Sequence, residues 1–192
     1  KFASEKETQR DRWKADASYY IGLNNGQKTD HEATAGLLKD WLIPGSKWFW
    51  WAKGRGDYDE FESWDYRLSG GGGLGYHLIQ EEKFTVDLRA GMGLSREFGS
   101  EDEDIHPEAQ LGIEGEWQID ERQSLVGDTW VYPDVGDLGE YRITSSAAWQ
   151  MKIDMKRGIA FKLGLENEYE SDVRDGDDHN DLRVFGGLIF EF

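Results

Sequence analysis

Apolar and polar residues alternate along most of this chain. In "KFTVDLRAGMGL", residues 83–94, the positions Phe84, Val86, Leu88, Ala90, Met92 and Leu94 make one apolar face. Lys83, Thr85, Asp87, Arg89, Gly91 and Gly93 make the other. "EAQLGIEGEWQI" sets Leu111, Ile113 and Trp117 against Gln110, Glu114 and Glu116. "AFKLGLENEY" sets Phe161, Leu163 and Leu165 against Lys162 and Glu166. The last stretch does the same with Leu182, Val184, Leu188, Phe190 and Phe192. A period of two is the pattern of a strand with one apolar and one polar face, and helical spacing fits none of these windows.

The pattern predicts about ten strands, near 13–23, 31–42, 47–56, 63–79, 83–96, 106–119, 123–132, 140–152, 159–171 and 181–192. Two alternate poorly: "KWFWWAKG" is aromatic on both faces, and "SLVGDTWVY" mixes its phases. No helix signal separates the strands, so neighbours pair as antiparallel hairpins in an up-and-down meander. Alternate connections are short: "IPGS", "QEE", "DERQ" and "DMKR". The others are mostly longer and acidic: "NGQKTD" at 25–30, "DYDEFE", "GSEDEDI", "PDVGDLG" and "SDVRDGDDHND". Tight turns at one end and long loops at the other are a mark of bacterial outer-membrane barrels.

Composition turns this pattern into a puzzle. The chain has 192 residues, net charge −17 and mean hydropathy −0.75, yet it carries 9 Trp, 8 Tyr and 9 Phe. A disordered acidic chain lacks such aromatics. The acidity argues against nucleic acid as a partner, because phosphates repel it. No apolar run is long enough for a transmembrane helix, and the absence of Cys excludes disulfides and thiolate metal sites. The first residue is Lys rather than Met, so the chain is expected to be processed or truncated, and removal of an export signal is one of the ways to such a start. Trp13, Trp41, Trp48, Trp50, Tyr76, Phe84, Trp117, Trp149 and Phe190 fall near the short-turn end. Tyr58, Phe61, Trp64, Trp130, Tyr132, Tyr141 and Tyr169 fall near the long-loop end. Two aromatic rings are what the two headgroup interfaces of a membrane select. The expected fold class is therefore all-β: a single antiparallel up-and-down transmembrane β-barrel of about ten strands, in which only every second strand residue meets lipid. Residues 1–12, charged at both signs, are expected as a periplasmic tail, and residues 13–192 as the barrel.

Three stretches, "YRLSGGGGLGYHLI" (66–79), "VYPDVGDLGEYRI" (131–143) and "DLRVFGGLIFEF" (181–192), carry a likeness to a known family. They resemble the salt-induced outer membrane protein family, called YdiY-like, a domain of unknown function. The likeness covers roughly residues 60–192 and is weaker in the first hairpin. It implies a bacterial outer-membrane location and expression under salt or osmotic conditions. No catalytic residues are defined for that family. The C-terminal Phe192 resembles the end read by barrel-insertion machinery; the bilayer is the partner expected from the apolar face, and lipopolysaccharide the one expected at the acidic loops.

Candidate sites follow from the two faces. Leu88, Leu111, Leu163, Leu188, Phe190 and Phe192 are expected to face lipid. Arg67, Asp87, Arg89, Glu114, Glu116, Arg142, Glu166 and Arg183 fall on the polar phase, with both signs present. A barrel of this size is narrow, so such charges should pair and plug the lumen, because an unpaired buried charge is expensive. Asp175, Asp177 and Asp178 crowd around Gly176 in an acidic loop and suit weak Ca²⁺ or Mg²⁺, hard cations that take oxygen ligands. No resident cofactor is expected. His31, His106 and His179 lie near the long-loop rim with acids close in sequence. The expected role is non-enzymatic, in envelope structure or in salt and osmotic adaptation. The alternatives are an omptin-like rim hydrolase, a soluble lipocalin-like carrier, and a narrow channel.

Overall fold

In a computed structural model, residues 2–8, 10–24, 27–62, 64–100, 104–137, 139–154, 158–173 and 178–190 are described. Side chains at 2–7, 23–24, 27–30 and 189–190 are outside that description. Every regular element among the described residues is a strand: β1 Phe2–Glu7, β2 Asp11–Asn24, β3 Gln27–Leu42, β4 Trp48–Asp59, β5 Tyr66–Gln80, β6 Phe84–Phe98, β7 Ile105–Gln118, β8 Gln123–Pro133, β9 Tyr141–Asp154, β10 Ile159–Glu170 and β11 Asn180–Phe190. They form one sheet in sequence order, each strand antiparallel to the next. β2 to β11 are the ten strands that the alternation predicts. The leading stretch is not wholly a tail: Phe2–Glu7 pairs with Arg12–Ala17 as β1. Consecutive charges at Glu5, Lys6 and Glu7 hid this short strand, because they leave neither face apolar.

The sheet curls into a barrel. Side chains from strands far apart in the order meet inside it: Arg12 of β2 lies 2.5 Å from Asp87 of β6, and Arg67 of β5 lies 2.8 Å from Glu170 of β10. Cα atoms of the two edge strands, β1 and β11, approach within 8 Å. An odd number of alternating strands leaves β1 and β11 running in the same direction.

One end carries short connections, at 43–47, 81–83, 119–122 and 155–158. The other carries 60–65, 99–104, 134–140 and 171–179. The expected long loop at 25–30 is an exception. β2 and β3 run on to Asn24 and Gln27, so this hairpin stands taller than its neighbours.

Burial inverts the usual order. Asp40 and Gln110 are fully buried and Arg89 nearly so, whereas Leu111 is 49% and Val184 72% exposed. The polar phase of the strands faces in, and the apolar phase faces out. Among the described residues, the apolar cluster inside consists of Phe49, Trp51, Trp130 and Tyr132, with Leu38 and Leu42 against it. This cluster explains the two poorly alternating segments. In β4, Trp48 and Trp50 point out while Phe49 and Trp51 point in. In β8, Trp130 and Tyr132 sit on the inner face. Trp64, Trp130 and Tyr132, expected in the outer aromatic ring, are therefore interior residues.

Glycines make room for that cluster. A Cβ at Gly75 would lie 2.1 Å from the Phe49 ring, one at Gly91 2.8 Å from Trp51, and one at Gly112 2.8 Å from Trp130. The Gly run at 70–73 continues this surface, since a Cβ at Gly71 would strike Gln110. Large side chains thus lie flat on bare strand, which is where a strand glycine is worth its lost packing.

Candidate functional site

The inner face of the barrel collects the chemistry. Strand alternation brings there Arg12 and Lys14 from β2, Asp40 from β3, His77 from β5, Asp87 and Arg89 from β6, and Glu114 from β7. Asp40 is the hub: it accepts a hydrogen bond from Arg12 Nε at 2.8 Å and another from Arg89 Nη2 at 2.9 Å. Arg12 also reaches Asp87, which takes His77 Nδ1 at 2.6 Å on its other oxygen. Arg89 Nη1 donates to Glu114 at 2.8 Å, and Lys14 pairs with the other oxygen of Glu114. Apart from His77, three cations (Arg12, Lys14 and Arg89) meet three carboxylates (Asp40, Asp87 and Glu114). Both arginines also stand over the Phe49 ring, at 5.7 and 5.3 Å. Buried charge is tolerated only with such complete pairing.

A second network lies nearer the long-loop end. Arg67 donates to Glu97 at 2.7–2.9 Å and to Glu170 at 2.8 Å, under the Trp64 ring. Arg142 sits 3.4 Å from Glu168 and 3.9 Å from Glu108. Arg183 pairs with Glu32 and Asp181, and Arg55 with Asp57 at 2.8 Å. Lys53 differs from these cations. Its ammonium donates to Tyr132 Oη at 2.5 Å and lies 3.8 Å from the Trp130 ring centre, with no carboxylate in salt-bridge reach among the described residues.

The eight charged residues that the alternation places on the inner face thus stand as follows. Arg67, Asp87, Arg89, Glu114, Arg142 and Arg183 all make ion pairs across or along the barrel. Glu116 and Glu166 line a cavity in the lumen. Arg12, Asp40, Lys53 and Glu168 are missing from that set. Arg12 lay in the presumed tail, and Asp40 sits in "LLKDWL", where apolar neighbours mask its phase.

On the outer face, Leu88, Leu111, Leu163 and Leu188 are all exposed. The expectations for Phe190 and Phe192 concern side chains outside the described residues. The aromatic pairs on this face come in two tiers. Trp48 and Tyr76 are cross-strand partners with ring centres 4.8 Å apart, and Tyr58 and Tyr66 are partners at 5.2 Å. His31 belongs to this outer tier. It packs edge-on to Tyr58, bonds Glu60 through Nδ1 at 2.6 Å and meets Tyr19 Oη at 3.0 Å through Nε2. His179 stacks on Tyr169 and donates to the Glu170 carbonyl at 2.8 Å. His106 lies 3.5 Å from Asp134. Of the candidate metal ligands, Asp175 and Asp177 lie outside the described residues, and Asp178 is exposed. No group of three or more metal-capable side chains occurs among the described residues.

A family described as "Protein of unknown function, DUF481" matches residues 1–192. No curated protein matches the chain.

Proposed function

This chain belongs to the DUF481 family, proteins of unknown function, and since the family supplies no activity, we propose a role from the barrel itself: a bacterial outer-membrane β-barrel of non-enzymatic function, serving envelope structure and adaptation to salt. The observation that carries the reading is the inverted burial. Leucines and valines cover the outside while Asp40, Asp87 and Arg89 are buried inside. A soluble barrel arranges these the other way, because apolar burial drives its folding. Lipid removes that cost and requires every backbone group to be paired within the sheet.

The aromatic tiers support the same reading. Tyr66 and Tyr76 are ten residues apart on β5, roughly 33 Å along the strand at about 3.3 Å per residue. A tilt of about 40° turns this into a height of roughly 25 Å, the height of an outer-membrane apolar band. On the outer face, Lys39 lies between Trp13 and Trp41, 4.3 and 4.7 Å from their rings, as a cation among interfacial aromatics does. Lipopolysaccharide is the proposed partner of the acidic loops, and barrel-insertion machinery that of the last strand. The salt-related role rests on the family resemblance of residues 66–79, 131–143 and 181–192.

The test is accessibility in membranes. Single Cys at Leu88, Leu111, Leu163 and Leu188 should resist a water-soluble maleimide in intact outer membranes and react after denaturation. Ready labelling of these sites in the native state would sink the membrane reading and favour a soluble carrier.

A further inference from the structure

The ion-pair network does not fill the lumen. A cavity of about 380 Å³ runs beside it, along β7 to β11 and β2 to β4. Its lining reaches both ends of the barrel. Glu116, two residues from the short-turn end of β7, is exposed there, and Asp181, one residue from the start of β11, is exposed at the loop end. Side chains nearly fill an eight-stranded barrel, and added strands widen it. The extra section here appears on the side away from Arg12, Asp40 and Arg89.

We propose that this cavity is a narrow water-filled passage that favours small monovalent cations. Seven carboxylates and five cationic side chains line it, an excess of two negative charges. Both mouths present a carboxylate. At mid-height, Asp16 and Asp128 face the cavity, and neither has an ion-pair partner among the described residues. Asp128 takes a hydrogen bond from Ser146, and Asp16 rests against bare Gly36, where a Cβ would lie 2.6 Å from its oxygen. Carboxylates without a direct ion pair in a low-dielectric wall are incompletely neutralised and expensive, and water with passing cations relieves that cost. A focused negative potential raises the local cation concentration and repels anions. The narrow bore, with Lys53, Lys162 and Arg55 on its walls, excludes bulky solutes and disfavours divalent cations.

The proposal rests on the membrane reading, and its test separates the two. Full-length protein is inserted into phosphatidylcholine vesicles and planar bilayers, with folding checked by heat-modifiable mobility and insertion by protease protection. The expected result is a small conductance whose reversal potential in a KCl gradient has the sign of cation preference. Asp16→Asn with Asp128→Asn should move that preference toward none while the protein stays folded. Ser146→Trp should fill the waist and remove most of the current. Inserted, folded protein that carries no current above a bare bilayer overturns the passage alone. Anion preference, or currents indifferent to Ser146→Trp, do the same. Failure to insert takes down both readings.

Discussion

Asp40 shows how one side chain organises the interior. It is buried against two guanidinium groups, and both depend on it for part of their neutralisation. Asp40→Ala would leave Arg12 and Arg89 with excess charge in a closed space. Removing one partner of such a pair costs about 3–5 kcal/mol, and urea unfolding of vesicle-inserted protein should read that loss. The half-exposed pair Lys39–Asp11 on the outer face, 3.5 Å apart, is the control: breaking it should cost about 0–1 kcal/mol, as for surface ion pairs. A smaller penalty for Asp40→Ala than for the control would mean that the lumen is solvated enough to screen its charges. The sequence showed which face Arg89, Asp87 and Glu114 occupy, because a period of two assigns faces. It could not show that Asp40 joins Arg12 to Arg89, because pairing across a lumen depends on barrel curvature and stagger, which no local pattern records.

Among elements, β4 over β5 is the pair that reveals most. β4 sends Phe49 and Trp51 inward, and β5 answers with glycines, so the strands read separately as one too aromatic and one too bare. Gly75→Ala places a methyl 2.1 Å from the Phe49 ring, and overpacking of this kind costs about 1–3 kcal/mol. Pairing Gly75→Ala with Phe49→Leu should recover much of the loss in a double-mutant cycle, while strict additivity would dissociate the two sites. β7 carries the complementary test on the outer face. Leu111→Arg near the middle of the band should cost about 2–4 kcal/mol in a bilayer, measured as folding free energy in lipid vesicles. Little or no loss there would place Leu111 in water. Strand positions were legible almost throughout, since one apolar face repeats in β5 to β7 and in β9 to β11. β1 was not, because a short strand with polar residues on both faces has no amphipathic signature.

For the molecule as a whole, the acidic loop end sets the dependence on pH and salt. Glu140 lies there with its carboxyl held above the usual range, first by partial desolvation and then by Asp172, Asp137 and Asp134. A carboxyl whose folded value is raised favours folding below its unfolded value, and that contribution is lost as pH rises through the folded one. Glu140→Gln should therefore stabilise the protein at neutral pH, and the gain should vanish as the pH falls below about 4, where an ordinary Glu protonates. Added salt should shrink the gain as well, because exposed charges are screened beyond about 10 Å at 0.1 M. Thermal unfolding of both proteins across pH and salt checks each point, and equal curves would mean that Glu140 is free of its neighbours' field.

The parallel approach of β1 and β11 dictates the order of assembly. Each of the other contacts between neighbouring strands joins segments consecutive in the chain, and a hairpin forms locally in about 1–10 μs. The seam alone joins residues 2–7 to residues 180–190, and no turn links two strands that run the same way. Its entropic cost is modest, since each doubling of loop length adds only about 0.6 kcal/mol. Its kinetic cost is large, because such non-local contacts are the slow ones. During refolding into vesicles, paired fluorophores across β4 and β5 should report contact well before a pair placed on β1 and β11. Until that last event the chain is an open sheet whose two edge strands stand apart, and that interval is when it is most exposed to pairing with another copy.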